Sequence, residues 1–301
     1  GGRINTDFID NSAGVSTSDH EVNIKILLGA AVAAKKLTLE ARNKLLAAMT
    51  DDLTSHVLLD NYRQSMALTH CAARGVSILD EATRFMRALE RGGKLNRQVE
   101  FLPDDEALAE RRAMKKGLTR PELAVLLAYS KMTLFEDLMA SDLPDDPFLA
   151  GDVGLYFPKA LRKSYGDYMA RHRLRREITA TYVTNSLINR SGPTFVNEIA
   201  SLTGATAADV VKAYLVTRQV FDLRPMWAEI ESLDYKLPAE MQTVLAFEIL
   251  QVVRRGTIWM LRSGPQPFDL ARTVTRYAEG LGRMTGRLED CIASSLRQSI
   301  R

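Results

Sequence analysis

The sequence predicts an all-α protein built from many helices. Three observations carry that expectation. Apolar residues recur at helical spacing from Asp19 onward. Capping residues stand ahead of one periodic segment after another. No alternating apolar–polar run long enough for a useful strand occurs anywhere in the chain. With 301 residues, 46% of them hydrophobic and 26% charged, the chain can bury a sizeable core as one large or two ordinary domains.

The segment Ile4 to Glu21 is dense in Asn, Asp, Ser and Gly, which suit turns and side-chain-to-backbone bonding. It reads as a polar loop. Ser18 stands three residues before Glu21, the spacing of a capping box, so a first helix is expected from about Asp19 to Lys36. Such a helix start would turn backbone N–H groups outward, where they attract anions. Thr38 is expected to cap a helix over Leu39 to Met49. Asp51 should cap a longer one towards Cys71. Ser77 should cap a fourth, with Ile78, Ala82, Phe85, Met86 and Leu89 on one face and Gly92-Gly93 at its end. Val99 to Leu102 reads as a connector, and Asp104 or Asp105 begins a helix that Gly117 stops.

Thr119 and Glu122 have capping-box spacing, with Pro121 in the first turn where its missing N–H costs nothing. The helix that follows, to about Met139, opens apolar nearly all round and belongs in a core. Leu143-Pro144-Asp145-Asp146-Pro147 breaks the pattern, which places a possible subdomain boundary near 142–150. Beyond it the pattern predicts helix over Tyr156 to Tyr165, Arg173 to Asn189, the pair Phe195 to Leu202 and Thr206 to Phe221, and the apolar stretch Ala239 to Leu261. Phe268 to Arg301 reads as one or two amphipathic helices.

Composition excludes several classes. A net charge of +3 is small for this length and names no obligate polyanion partner. Two cysteines, Cys71 and Cys291, are too few for a disulfide framework and suit a reducing cytoplasmic setting. The longest unbroken apolar run, Ile26 to Ala34, is too short to span a bilayer. The opening Gly1-Gly2-Arg3 reads as a cut from something longer, and no signal peptide pattern is present.

The string Asp7-Phe8-Ile9-Asp10-Asn11-Ser12-Ala13-Gly14-Val15-Ser16-Thr17-Ser18 resembles the loop of glutamate dehydrogenases that closes the dinucleotide-binding domain. Small members carry Asp-Phe-Leu-Ala-Asn-Ala-Gly-Gly-Val-Thr-Val-Ser there. The continuation Asp19 to Ile26, the phrase Leu118 to Lys131 and the segment Arg175 to Phe195 are similar to the large bacterial NAD-specific enzymes. The resemblance implies that residues 1–18 are the tail of a catalytic domain and 19–301 a helical C-terminal domain. It implies that Asn11 faces the nicotinamide of NAD, that Val15 lines the glutamate pocket and that Ser18 bonds the substrate's side-chain carboxylate. It also implies that the family's catalytic lysine and acid lie upstream, so that no catalytic residue falls in this chain, which alone should be inactive and should not hold NAD. The expected partners are an upstream catalytic domain and further copies of the chain, with no nucleic acid and no membrane. The helical part would brace the catalytic domain and support the oligomer. The alternative is a regulatory or protein-interaction module not needed for the chemistry.

Other candidates are weaker. His70 and Cys71 are sequence neighbours and point about 100° apart on a helix, so packing is their expected role. His20 and His56 lack the sequence-spaced partners of a zinc site, so no metal is expected. Arg162, Lys163, Arg171, Arg173, Arg175 and Arg176 form a basic cluster whose default role is a solvated face or an interface. Phe195 to Phe221 mimics a helix-turn-helix, but its second helix is apolar with one early acid, the wrong surface for reading DNA.

Overall fold

The computed structural model describes residues 4–265 and 268–285. The described residues contain helices and turns and no strand, as the sequence predicts. The chain divides into two compact units, Gly1–Glu198 and Ile199–Arg301.

The first unit begins with a short α1 (Asp7–Asp10) and a long α2 (Ser12–Ala33). After them come α3 (Leu39–Ala48), α4 (Thr50–Ala73), α5 (Leu79–Arg91), α6 (Asp105–Ala113) and α7 (Arg120–Met139). Four short or medium helices complete it: α8 (Ala150–Tyr156), α9 (Lys159–Arg162), α10 (Gly166–Ala170) and α11 (Arg175–Ser191). Helix α12 (Phe195–Thr203) contains the division between the units. The second unit continues with α13 (Ala207–Val220), α14 (Leu223–Glu231), α15 (Ala239–Ser263) and α16 (Leu270–Thr285). The expected helices beyond residue 285 lie outside the described residues.

Several starts follow the local signals. Thr38 Oγ1 accepts the Ala41 N–H at 3.1 Å, Asp104 accepts from Ala107 at 2.8 Å, and Thr206 accepts from Asp209 at 3.2 Å. Thr119 and Glu122 close a reciprocal capping box on α7. Arg111 grips the same Glu122 carboxylate with two bonds of 2.6 and 2.7 Å. The opening of α7 is buried from Leu123 to Leu127, as its all-round apolar character requires. The five residues expected on one face of the fourth helix are all buried.

Three expectations are corrected. Residues 7–18 are helical rather than a loop, apart from a break at Asn11, so the first long helix starts at Ser12 and not near Asp19. Ser18 is therefore in a helix interior and caps nothing. Two anchors fix the earlier start: Ile9 is buried, and Asn61 of α4 donates to Ile9 O at 3.1 Å and to Ser12 Oγ at 2.7 Å. Asp51 and Ser77 are also not caps. Helix α4 starts at Thr50, while Ser77 sits in a 3₁₀ turn and donates to Arg74 O.

The Pro-rich break at 142–150 lies inside the first unit, as two 3₁₀ turns. Helix α11 holds that segment. Arg175 donates to Pro144 O and Arg176 to Met139 O and Ser141 O, and both guanidinium groups pair with Asp145. Two of the six residues of the basic cluster thus serve as staples rather than on a solvated face.

Within the first unit, α2 packs on α4, α4 on α7, and α7 and α8 on α11. Ile24, Leu27 and Leu28 of α2 share a core with Met49, Tyr156, Phe157, Leu161, Met169 and Ile178. In the second unit, α13 packs against α15 and α16 and buries Val210, Val211, Tyr214 and Leu215. No single helix among the described residues is long and apolar enough to cross a membrane. The bent pair α12 and α13, broken by 106°, passes that test by length and composition alone.

Candidate functional site

Asn11, Val15 and Ser18 stand at i, i+4 and i+7 once residues 12–33 are helical, so they share one face of α2. Val22 continues the stripe at i+11. All four are exposed, Val15 to 73% and Val22 to 52%. The opposite face carries His20, Asn23, Ile24, Leu27, Leu28 and Ala31, which are buried. The helix is amphipathic in an unusual sense. Its inward side holds polar groups beside apolar ones, and its outward side shows valines. Ile4 and Phe8 just upstream are exposed as well, at 74% and 49%.

The stripe is held by the body of the unit. Asn5 donates to both oxygens of Asp10 at 3.0 and 2.6 Å, tying off α1. Arg120, at the start of α7, donates to Asn5 Oδ1 at 2.9 Å and Thr69 Oγ1 at 3.1 Å. Asn11 occupies the cap position of α2 without using its side chain as a cap. Its carboxamide lies over Gly14, where a Cβ would come within 3.2 Å of Asn11 Oδ1. Gly14 therefore leaves room for that side chain. The helix N-terminus expected to attract anions near Asp19 is moved to Asn11 and Ser12.

Behind this face lies a polar constellation inside the unit. Tyr156 donates to Asp19 Oδ2 at 2.7 Å and accepts from Asn23 Nδ2 at 2.8 Å. His172 accepts the Leu174 N–H at Nδ1, which leaves Nε2 protonated and donating to Asn23 O at 3.1 Å. Burial raises the Tyr156 phenol pKa and lowers that of His172. His20 stacks on Tyr156 with ring centroids 4.2 Å apart and meets His56 edge-on at 5.1 Å. Burial, then the neighbouring His56, pushes His20 down to about 4, so its ring is neutral near pH 7.

The fold thus brings together what sequence spacing separated. His20 of α2 meets His56 and Asp60 of α4, with donor atoms of all three within 4.8 Å of one another. Sequence spacing gives the two histidines no zinc-site partners; the cluster forms by tertiary packing of α2 on α4. The signal that existed was His56-x₃-Asp60, an i, i+4 pair on one helix face. Nothing in the sequence set His20 against it. Burial pushes the Cys71 thiol up to about 12, and His70 down to about 4.

Comparison with known proteins gives two family matches. Residues 115–301 match the model of the C-terminal part of glutamate dehydrogenase, and residues 1–71 match that of the catalytic domain of bacterial NAD-glutamate dehydrogenase. The second match runs into α4. An NAD-specific glutamate dehydrogenase of Pseudomonas aeruginosa is 45% identical over 298 residues, 99% of this chain and 18% of that protein. One from Halomonas elongata is 46% identical over 87% of this chain and 16% of its own length. One from Mycobacterium tuberculosis is 36% identical over 96% of this chain and 18% of its own length. The chain spans less than a fifth of these relatives. With the C-terminal model matched over well more than half its residues, the chain belongs to the glutamate dehydrogenase family.

Proposed function

We propose that this chain is the C-terminal part of an NAD-specific glutamate dehydrogenase, and that the exposed face of α2 is one wall of the active site. The reaction is oxidation of L-glutamate with NAD and water to 2-oxoglutarate, ammonium and NADH. In this reading Asn11 bonds near the nicotinamide, Val15 lines the glutamate pocket and the Ser18 hydroxyl donates to the substrate's side-chain carboxylate. The observation that carries the reading is the alignment of these three residues, with Val22, on a single exposed stripe of a firmly anchored helix. Exposed valines on an anchored helix suit a surface covered by another domain.

The remaining helices brace the catalytic domain and support assembly of the oligomer. The sequence contains no Gly-rich strand–turn–helix for a pyrophosphate. The lysine and acid of the chemistry then belong to the upstream catalytic domain. On this reading the parent works in the cytoplasm, holds NAD through that domain and needs neither nucleic acid nor membrane. The isolated chain should neither turn over glutamate nor bind NAD.

The test is a split of kinetic constants in the full-length enzyme. Asn11→Ala should raise KM for NAD with little change for glutamate, and Ser18→Ala should do the reverse. Equal effects of both variants on both substrates would contradict the assignment.

A further inference from the structure

We propose that His20, His56 and Asp60 form a binding site for one divalent transition-metal ion of the zinc class, joining α2 to α4. The donor set is the first ground. Two imidazoles and a carboxylate are the ligands that zinc and its neighbours take, usually with a water in the fourth position. The second ground is geometry. His56 and Asp60 project from one face of α4, and His20 reaches the same point from α2, with the three donor atoms within 4.8 Å of one another. Three donors bonded at about 2.0 Å to a tetrahedral ion stand about 3.3 Å apart. Closure therefore draws them in by no more than about 1.5 Å, and the half-buried His56 and Asp60 side chains can supply that by rotation.

The third ground is independent of the clustering. His20 is 4% exposed, and its buried Nδ1 has no hydrogen-bond partner. A buried ring nitrogen without a partner is costly, and a metal bond to the ring would repay that cost. The neighbourhood also limits mobility. Tyr156 stacks on the His20 ring and is itself fixed by Asp19 and Asn23. The stacking fixes the plane of the His20 ring. The charge balance is mixed. Arg63, Lys131 and Arg190 act on Asp60, and Arg162 and Arg63 on His56, while Asp52 and Asp19 stand on the acidic side. Calcium fits poorly, since the six to eight oxygen ligands it takes are not offered by two imidazoles and one carboxylate.

The site tests directly on the 301-residue chain after chelation and dialysis. Zinc alone is titrated by calorimetry, and cobalt(II) alone is titrated while its visible d–d absorption is recorded. The expected result is one ion per chain and a cobalt spectrum of low coordination number. His56→Gln and Asp60→Asn should each weaken binding by at least about tenfold, by analogy with the loss of outer-sphere partners, which already costs that much. His70→Gln, on the same helix but away from the cluster, should bind as the unaltered chain does. Far-UV circular dichroism reports whether each variant is folded. Asp60→Asn, which preserves shape, decides the matter if a histidine variant does not fold. No stoichiometric binding, or binding unchanged in His56→Gln and Asp60→Asn, would overturn the proposal.

Discussion

Gly256 sits in the middle of the 25-residue α15, where an exposed or uncrowded glycine is a liability. Replacing it by alanine should gain about 0.5–1 kcal/mol from reduced backbone freedom. The structure predicts the opposite outcome. A Cβ on Gly256 would lie 2.5 Å from Thr217 Cγ2, 3.3 Å from Thr217 Oγ1 and 3.5 Å from Phe221 Cε2. Carbon atoms in contact prefer about 3.5–4.0 Å, so α13 and α15 would have to separate or Thr217 leave its rotamer. Thr217 is fully buried and its hydroxyl is fixed on Ala213 O at 2.9 Å, so it cannot turn away cheaply. Overpacking of this kind costs about 1–3 kcal/mol. Set against the helix gain, the net loss should be about 1 kcal/mol and at most about 2.5. Thr217→Ser removes the offending methyl and keeps the hydroxyl bond. Alone it should cost about 0.8 kcal/mol for the lost buried carbon. Combined with Gly256→Ala it should be nearly neutral, because the new methyl fills the vacated space. The coupling energy should then be at least about 1 kcal/mol, above the 0.3–0.5 kcal/mol within which independent sites add. Urea unfolding followed by tryptophan fluorescence reads this out in the right place, since both tryptophans, Trp227 and Trp259, belong to the second unit. A stabilised Gly256→Ala, or strict additivity with Thr217→Ser, would refute the packing argument.

Other outcomes follow from the same structure. Tyr156→Phe removes a buried hydroxyl that donates to Asp19 and accepts from Asn23, and should cost about 1–3 kcal/mol in thermal or urea unfolding followed by circular dichroism. Ser18→Ala should be neutral or stabilising by up to about 0.5 kcal/mol, because Ser18 is an exposed interior residue of α2 and alanine is the better helix former. A loss of about 1 kcal/mol would mean that Ser18 caps a helix after all. His70 is a base held below its ordinary 6.5, at about 4, chiefly by burial and then by Arg190. The unfolded chain therefore binds the extra proton between these values. Its contribution is complete above about pH 6.5 and is lost as pH falls towards 4, by up to about 3 kcal/mol. His70→Gln should flatten the stability profile over that window, measured by urea unfolding at stepped pH, and an unchanged slope would contradict it.

Much of the fold was legible because it is local. Thr38, Asp104 and Thr119 cap helices where their sequences say they should, since a cap needs only three or four residues to be recognised. Ser18 and Glu21 have the same spacing and no cap. The difference lies in what precedes them. A chain already helical from Ser12 cannot offer Ser18 the extended backbone of a cap, and besides buried Ile9 the anchor that holds it helical, the Asn61 bonds, comes from α4 some fifty residues away. The segment 12–18 has poor intrinsic helix formers in Ser, Gly, Val and Thr, so propensity pointed to a loop and tertiary contact overrode it. Helix α14 was missed for a related reason. It is short and follows Asp222 in the left-handed region at φ 47, a start that no cap pattern announces. The three residues of the candidate wall were legible only through family resemblance. Their common face became visible once residues 12–33 proved helical. The His20–His56–Asp60 cluster was half legible, as the i, i+4 pair on α4, and its third member needed the packing of α2 on α4.

The central claim is that the exposed face of α2 meets the substrate in the full-length enzyme. Steady-state kinetics of Ser18→Asp in that enzyme tests it most directly. Ser18 is exposed in the helix interior, so the substitution should leave folding close to normal. It sets a negative charge where the glutamate side-chain carboxylate is proposed to bind. Losing a hydrogen bond to a charged group costs about 1.5–3 kcal/mol, which is on the order of tenfold to a hundredfold in affinity. The account predicts that KM for glutamate in Ser18→Asp rises at least that far while KM for NAD stays near its original value. A folded Ser18→Asp enzyme that binds glutamate as the unaltered enzyme does would contradict it.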